Sequence, residues 1–211
     1  MQWILQIPAL FFSVIFHEFM HGYMAYRKGD DTAYLSGRLT FNPIAHIDPI
    51  GTLLLPVLAA ISNMPVIGWA KPVPVNPYRM NNPRTDMVWV AAAGPVSNFS
   101  LALFSAALYK FSILSGFYNI AFFLPLIYIF KFMIYINLAL CFFNLIPVYP
   151  LDGSQIVLGI LPYKWLIVYE RHLPYGFYLI LFFVLTGMVK YFIIWPMDFS
   201  LKLFNLIGLG V

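Results

Sequence analysis

Residues Leu5–Tyr26 read LQIPALFFSVIFHEFMHGYMAY, a largely apolar run long enough for one membrane helix. Inside it lies His17-Glu18-Phe19-Met20-His21, an H-E-x-x-H pattern. On a helix, residues i and i+4 share a face, so His17 and His21 can offer two imidazole nitrogens to one metal ion. Glu18 can then reach a water held beside that ion and take its proton as it attacks a carbonyl. Zinc suits such a set: two His nitrogens, one further protein ligand and a water whose pKa falls toward neutrality. Ionisable groups at membrane depth are costly and are by default paired, liganded or functional.

The rest of the chain has the same character. Of its 211 residues 62% are hydrophobic and 9% charged, with a mean hydropathy of +0.82; soluble domains carry about 25% charged residues. The expected fold is an all-α polytopic membrane protein, one membrane-embedded domain over residues 1–211. A net charge of +4 without a basic run gives no nucleic-acid surface. The lone Cys141 excludes an internal disulfide, and no basic region precedes the first apolar stretch as a signal peptide would require.

About five transmembrane helices are expected, over Trp3–Tyr26, Met87–Tyr109, Ile120–Phe143, Ser154–Tyr169 and Tyr175–Trp195. Between the first two, Thr32–Leu35 and Arg38–Phe41 flank Ser36-Gly37 and predict a small β-hairpin. Pro49–Ala70 is uncharged but interrupted by Pro56, Pro65 and Gly68, and predicts a re-entrant segment. Lys71–Asn76, proline-rich, suits an extended edge beside the hairpin, where an unwound substrate could pair. With a re-entrant segment, Arg27, Lys28, Arg38, Lys71, Arg79, Arg84 and Lys202 all face one side, which the positive-inside rule makes cytoplasmic. That choice also brings residue 152 to the side where the histidine-bearing helix ends. Lys131, within the expected helix Ile120–Phe143, is read as snorkelling or facing a polar cavity, and His46 and His172 as loop residues.

The third metal ligand must come from Asp30, Asp31, Asp48, Asp86, Asp152, Glu170, Asp198, His46 or His172. Asp152 fits best, because it follows the proline-broken stretch Asn144–Leu151 and precedes Gly153, which lets backbone come close. Capping of the following helix is the competing use of that carboxylate.

Three motifs now stand together: His17-Glu18-x-x-His21-Gly22, Gly94-Pro95-x-Ser97-Asn98, and Asn144-x-x-Pro147-x-x-Pro150-Leu151-Asp152-Gly153. From about Phe16 to Gln155 the chain resembles the site-2 protease family of intramembrane zinc metalloproteases. It is similar to the small members, with no insertion long enough for a PDZ domain and no tail for a CBS pair; it departs from the family pattern in having no membrane helix ahead of the H-E-x-x-H helix. The resemblance implies one zinc per chain on His17, His21 and Asp152, with Glu18 as general base. It also implies an asparagine, Asn144, that could donate to the developing oxyanion; the alternative is that its amide satisfies broken backbone near Pro147. Gly94 and Pro95 are expected to permit close helix packing, and Asn98 to hydrogen-bond across helices. The implied protein is a multi-pass plasma-membrane endopeptidase whose partners are the bilayer and a transmembrane protein substrate, with room for a homo-oligomer. A non-enzymatic membrane metal transporter is the alternative; it would share the histidines without needing Glu18.

Overall fold

The computed structural model describes residues 2–54, 61 and 70–210. Helix α1 spans Gln2–Arg27. It stops where Gly29 enters the left-handed region at φ +103°. There Asp30 N donates to Ala25 O and Gly29 N to Tyr26 O, closing the last turn. Helix α3, Pro83–Leu114, starts on a proline whose missing N–H costs nothing in a first turn. Helix α4, Leu124–Asn144, ends before Pro147 and Pro150. Beyond that turn come α5 (Asp152–Ile160), α6 (Tyr163–Glu170), α7 (Gly176–Leu185) and α8 (Val189–Leu206).

Helix α3 is the hub, packing against α1, α4 and α5; α1 also meets α4, and α8 lies on α4. Most of its buried positions are small, among them Ala91, Ala93, Gly94, Ser97, Ala102, Ser105 and Ala106. Small side chains let helix backbones approach, which is how helices associate where lipid offers no hydrophobic drive. Ala102 and Ala106 meet Ile134 and Leu138 of α4 and Phe204 of α8 in one core; Ala25 of α1, Val90 of α3 and Met80 form another. Lys28 and Asp86 pair at 3.0 Å, tying the end of α1 to the start of α3.

Three expectations are corrected. No β-hairpin forms among the described residues. Thr32–Leu35 is instead a helical turn, α2, opened by Asp30, whose carboxylate accepts from the Thr32 backbone N–H and hydroxyl. Arg38 N donates to Ala33 O and Gly37 N to Tyr34 O, so Ser36-Gly37 closes a helix rather than joining two strands. The count of five spans also falls. Among the described residues two helices are long and apolar enough to cross a membrane, Pro83–Leu114 and Ala121–Asn144, and a third if Tyr163–Leu185 and Val189–Leu206, bent by 74°, form one span. Helix α1 has the length, about 39 Å at 1.5 Å per residue, but Gln6, His17, Glu18 and His21 dilute its apolar character. Finally, the two expected C-terminal helices are each divided, at Leu161-Pro162 and at Gly187 (φ +70°). Most of the expected re-entrant segment, 55–60 and 62–69, lies outside the described residues; Pro49–Leu54 before it is a single wide helical turn.

Candidate metal centre

His17 and His21 project from one face of α1 toward α3 and the start of α5. Their Nε2 atoms stand 3.0 Å apart. The Asp152 Oδ2 atom lies 3.1 Å from the first and 3.3 Å from the second. All three residues are buried or nearly so.

Two glycines make room for this convergence. A Cβ on Gly94 would overlap His21 Nε2 and stand 2.6 Å from His17 Cε1, so α3 presents bare backbone to both rings. A Cβ on Gly153 would collide with Leu145 O and lie 2.6 Å from Ile146 O, so the 145–151 turn folds back on the first residues of α5. Ser154 Oγ donates to Leu151 O at 2.7 Å, pinning that turn. Asp152 is the first residue of α5, and among the described residues its Oδ2 takes no hydrogen bond from the helix start; that oxygen faces the histidines instead.

The other nitrogen of each ring fixes its protonation. His21 Nδ1 lies 2.7 Å from Val90 O, a carbonyl that can only accept, so Nδ1 carries the proton. His17 Nδ1 lies 2.5 Å from Asn98 Oδ1, and the Asn98 amide donates to Ser13 O (3.3 Å) and Asn137 Oδ1 (2.7 Å), which leaves its oxygen to accept from His17. Asn137 in turn donates to Ser13 Oγ and Met133 O, both at 2.9 Å. Ser13, Asn98 and Asn137 are each fully buried. In the neutral form of each ring both Nε2 atoms then present lone pairs to Asp152 Oδ2, which among the described residues takes no hydrogen bond from any other group.

Three acceptors facing one another repel unless a cation sits among them. Ligands at 2.0–2.1 Å from a tetrahedral zinc stand about 3.3 Å apart, close to the spacings found. The donor set fits zinc.

The remaining candidates fall as follows. Glu18 Oε2 accepts from Val73 N at 2.9 Å. The Asn144 amide donates to Leu140 O within its own helix at 3.0 Å, and among the described residues no hydrogen bond joins it to the cluster. Pro95 is buried in α3 beside Gly94. His46 is buried and bonded to Thr40 O, His172 bonds Val168 O, and Lys131 lies over the Tyr109 ring.

Sequence reading missed Ser13, Asn137 and the Val90 carbonyl. Ser13 could have been found four residues before His17 on the same helix face, and Asn137 as a lone amide in an apolar helix. Backbone acceptors leave no mark in a sequence. An outer partner of this kind typically contributes a factor of about 10–100 in metal affinity. Asn98→Leu is therefore expected to weaken zinc binding by that amount in a chelator-competition titration; an unchanged Kd would show that His17 needs no support.

Residues 111–187, which hold α4, the turn and Asp152, match Peptidase family M50. The chain is 40% identical over 207 residues to "Putative zinc metalloprotease YwhC" of Bacillus subtilis (strain 168), covering 95% of this chain and 91% of that one. It is 30% identical over 155 residues to "Putative zinc metalloprotease Rip2" of Mycolicibacterium smegmatis, covering 71% of this chain and 54% of the relative. No solved structure matches. With likeness to a zinc metalloprotease running through nearly the whole of both chains, the protein belongs to peptidase family M50, the site-2 protease family.

Proposed function

We propose that the protein is an intramembrane zinc endopeptidase that hydrolyses a peptide bond in or near a transmembrane segment of another protein. The observation that carries this reading is the meeting of His17 Nε2, His21 Nε2 and Asp152 Oδ2 within 3.3 Å of one another. In it His17, His21 and Asp152 hold one zinc. Zinc supplies a Lewis acid that brings the pKa of a held water toward 7 and polarises a carbonyl.

This chain's own residues do the rest. Glu18 lies one residue from His17 on α1 and takes a proton from the attacking water, then returns it to the leaving amine. Asn98 and the Val90 carbonyl keep each imidazole in the tautomer that turns Nε2 inward. The apolar faces of α1, α3 and α4 exclude bulk water, so charge developing at the scissile bond is stabilised in a low-dielectric site. The Asn144 amide gives one N–H to Leu140 O and keeps a second for the oxyanion role. The pairing of Lys28 with Asp86 holds the basic end of α1 beside the start of α3. With Arg27, Arg38, Arg79 and Arg84 nearby in sequence, we assign that end of the bundle to the cytoplasmic side of the cell membrane. A transport role is less well supported: the buried amides behind His17 satisfy one another and lead nowhere.

The test is cleavage of a panel of single-span substrates by the purified protein in detergent or vesicles. Metal removal by a chelator should stop cleavage, and about one equivalent of zinc per chain should restore it. A protein that binds zinc yet cleaves no member of the panel, or one that cleaves equally well when stripped, would remove the reading.

A further inference from the structure

Lys71–Asn76 runs extended alongside α1 and is tied at both ends. Lys71 N donates to His46 O at 2.9 Å, and Arg38 Nη2 donates to Lys71 O at 2.7 Å and Pro72 O at 3.2 Å. At the far end Asn76 N donates to Oδ2 of Asp30, a fully buried carboxylate, at 2.6 Å.

Between these anchors the backbone reads Pro72-Val73-Pro74. The two prolines have no N–H. Over three residues the strap owns a single donor, Val73 N, and that donor goes to Glu18 Oε2 at 2.9 Å. The side chain of Val73 seats the strap. It is buried, and its Cγ1 lies 2.9 Å from where a Cβ on Gly22 would stand. Gly22, directly after His21, thus leaves a notch on α1 that a larger residue would fill. Pro74 also restricts Val73 to extended conformations, so the direction of its N–H is set by sequence.

Glu18 has a long side chain in mid-helix, where every nearby α1 N–H is used in the helix itself. Among the described residues Val73 N is the one donor that reaches its carboxylate, and it takes one oxygen. The other oxygen is left to receive a proton.

Resting on the proposed hydrolytic mechanism, we propose that the Val73 main-chain N–H positions the Glu18 carboxylate as general base, and that Pro72, Pro74 and Gly22 serve to deliver it. Val73 is a positioning residue; it does not touch substrate in this role. Misplacing a catalytic group by about 1 Å costs on the order of 100-fold.

The experiment uses the full-length zinc-loaded protein and a single-span substrate that the wild type cleaves. Val73→Pro removes the N–H at a position already confined to extended backbone. It should lower kcat by about 10–100-fold while KM and zinc stoichiometry hold. Val73→Ala keeps the N–H and loses part of the side chain that seats the strap, so it should lower kcat by less than Val73→Pro does. In a Glu18→Gln background Val73→Pro should cost nothing further. Equal kcat for Val73→Pro and Val73→Ala, or an undiminished effect in the Glu18→Gln background, overturns the proposal.

A second measurement needs no change in the strap. With 15N-valine labelling, the Val73 amide should exchange faster in Glu18→Ala than in the wild type; equal rates overturn the proposal whether or not Val73→Pro folds. Failure of the hydrolytic reading looks different: the wild type cleaves nothing, or Glu18→Gln cleaves as well as the wild type.

Discussion

Glu18→Gln protein is expected to bind zinc as the wild type does and to cleave about 100- to 10,000-fold more slowly, the range that general-base catalysis contributes. The two side chains have nearly the same shape, and the glutamine carbonyl can still accept the Val73 N–H that the Glu18 carboxylate accepts at 2.9 Å. What is lost is the ability to take a proton from water. Because Glu18 is not part of the His17–His21–Asp152 triangle, the zinc content should stay near one per chain. Metal analysis beside single-turnover cleavage checks both halves. Loss of zinc in this variant would make Glu18 a ligand, and full cleavage would exclude it from proton transfer.

The second large effect is at the other end of the chain. Asp152→Asn replaces the anionic member of the triangle with a neutral amide of the same size. Its oxygen donates less charge to a cation, and its NH2 group can turn toward the imidazole lone pairs and hydrogen-bond them. Both changes favour the empty site. Outer partners alone account for about 10–100-fold in metal affinity, so loss of an inner carboxylate should weaken zinc binding beyond that and remove cleavage with it. The measurement is zinc retained after dialysis, with helix content followed by circular dichroism to show that the bundle persists. Retention of zinc at wild-type affinity would reject Asp152 as a ligand.

Much of this centre is local chemistry, and local chemistry can be read from a sequence. The four-residue spacing of His17 and His21 on an apolar helix sets two nitrogens side by side whatever the rest of the chain does. Asp152 was distinguishable because two prolines and Gly153 interrupt an otherwise unbroken apolar stretch. The tertiary partners were not readable in the same way. That Val90 offers its carbonyl, or that Asn137 meets Ser13, depends on which faces of α1, α3 and α4 come together. Composition at those positions only says that something polar must be satisfied. The hairpin failed for a different reason: a glycine with positive φ ends helices and turns hairpins alike. At Ser36-Gly37 the deciding residue is Asp30, which starts a helical turn six residues upstream. The single long C-terminal helices failed at Pro162 and Gly187, whose breaking tendency the apolar run around them had masked.

The histidines and the carboxylate that come together in this bundle are separated along the chain by the whole of α3 and α4. In the order of synthesis the histidines precede α3 and α4, and the carboxylate follows both. A growing chain therefore has both imidazoles before it has the carboxylate that meets them in the fold. Under the proposed mechanism the metal centre is complete only once the turn after α4 has brought Asp152 to His17 and His21, so a chain that stops short of that turn lacks the third ligand.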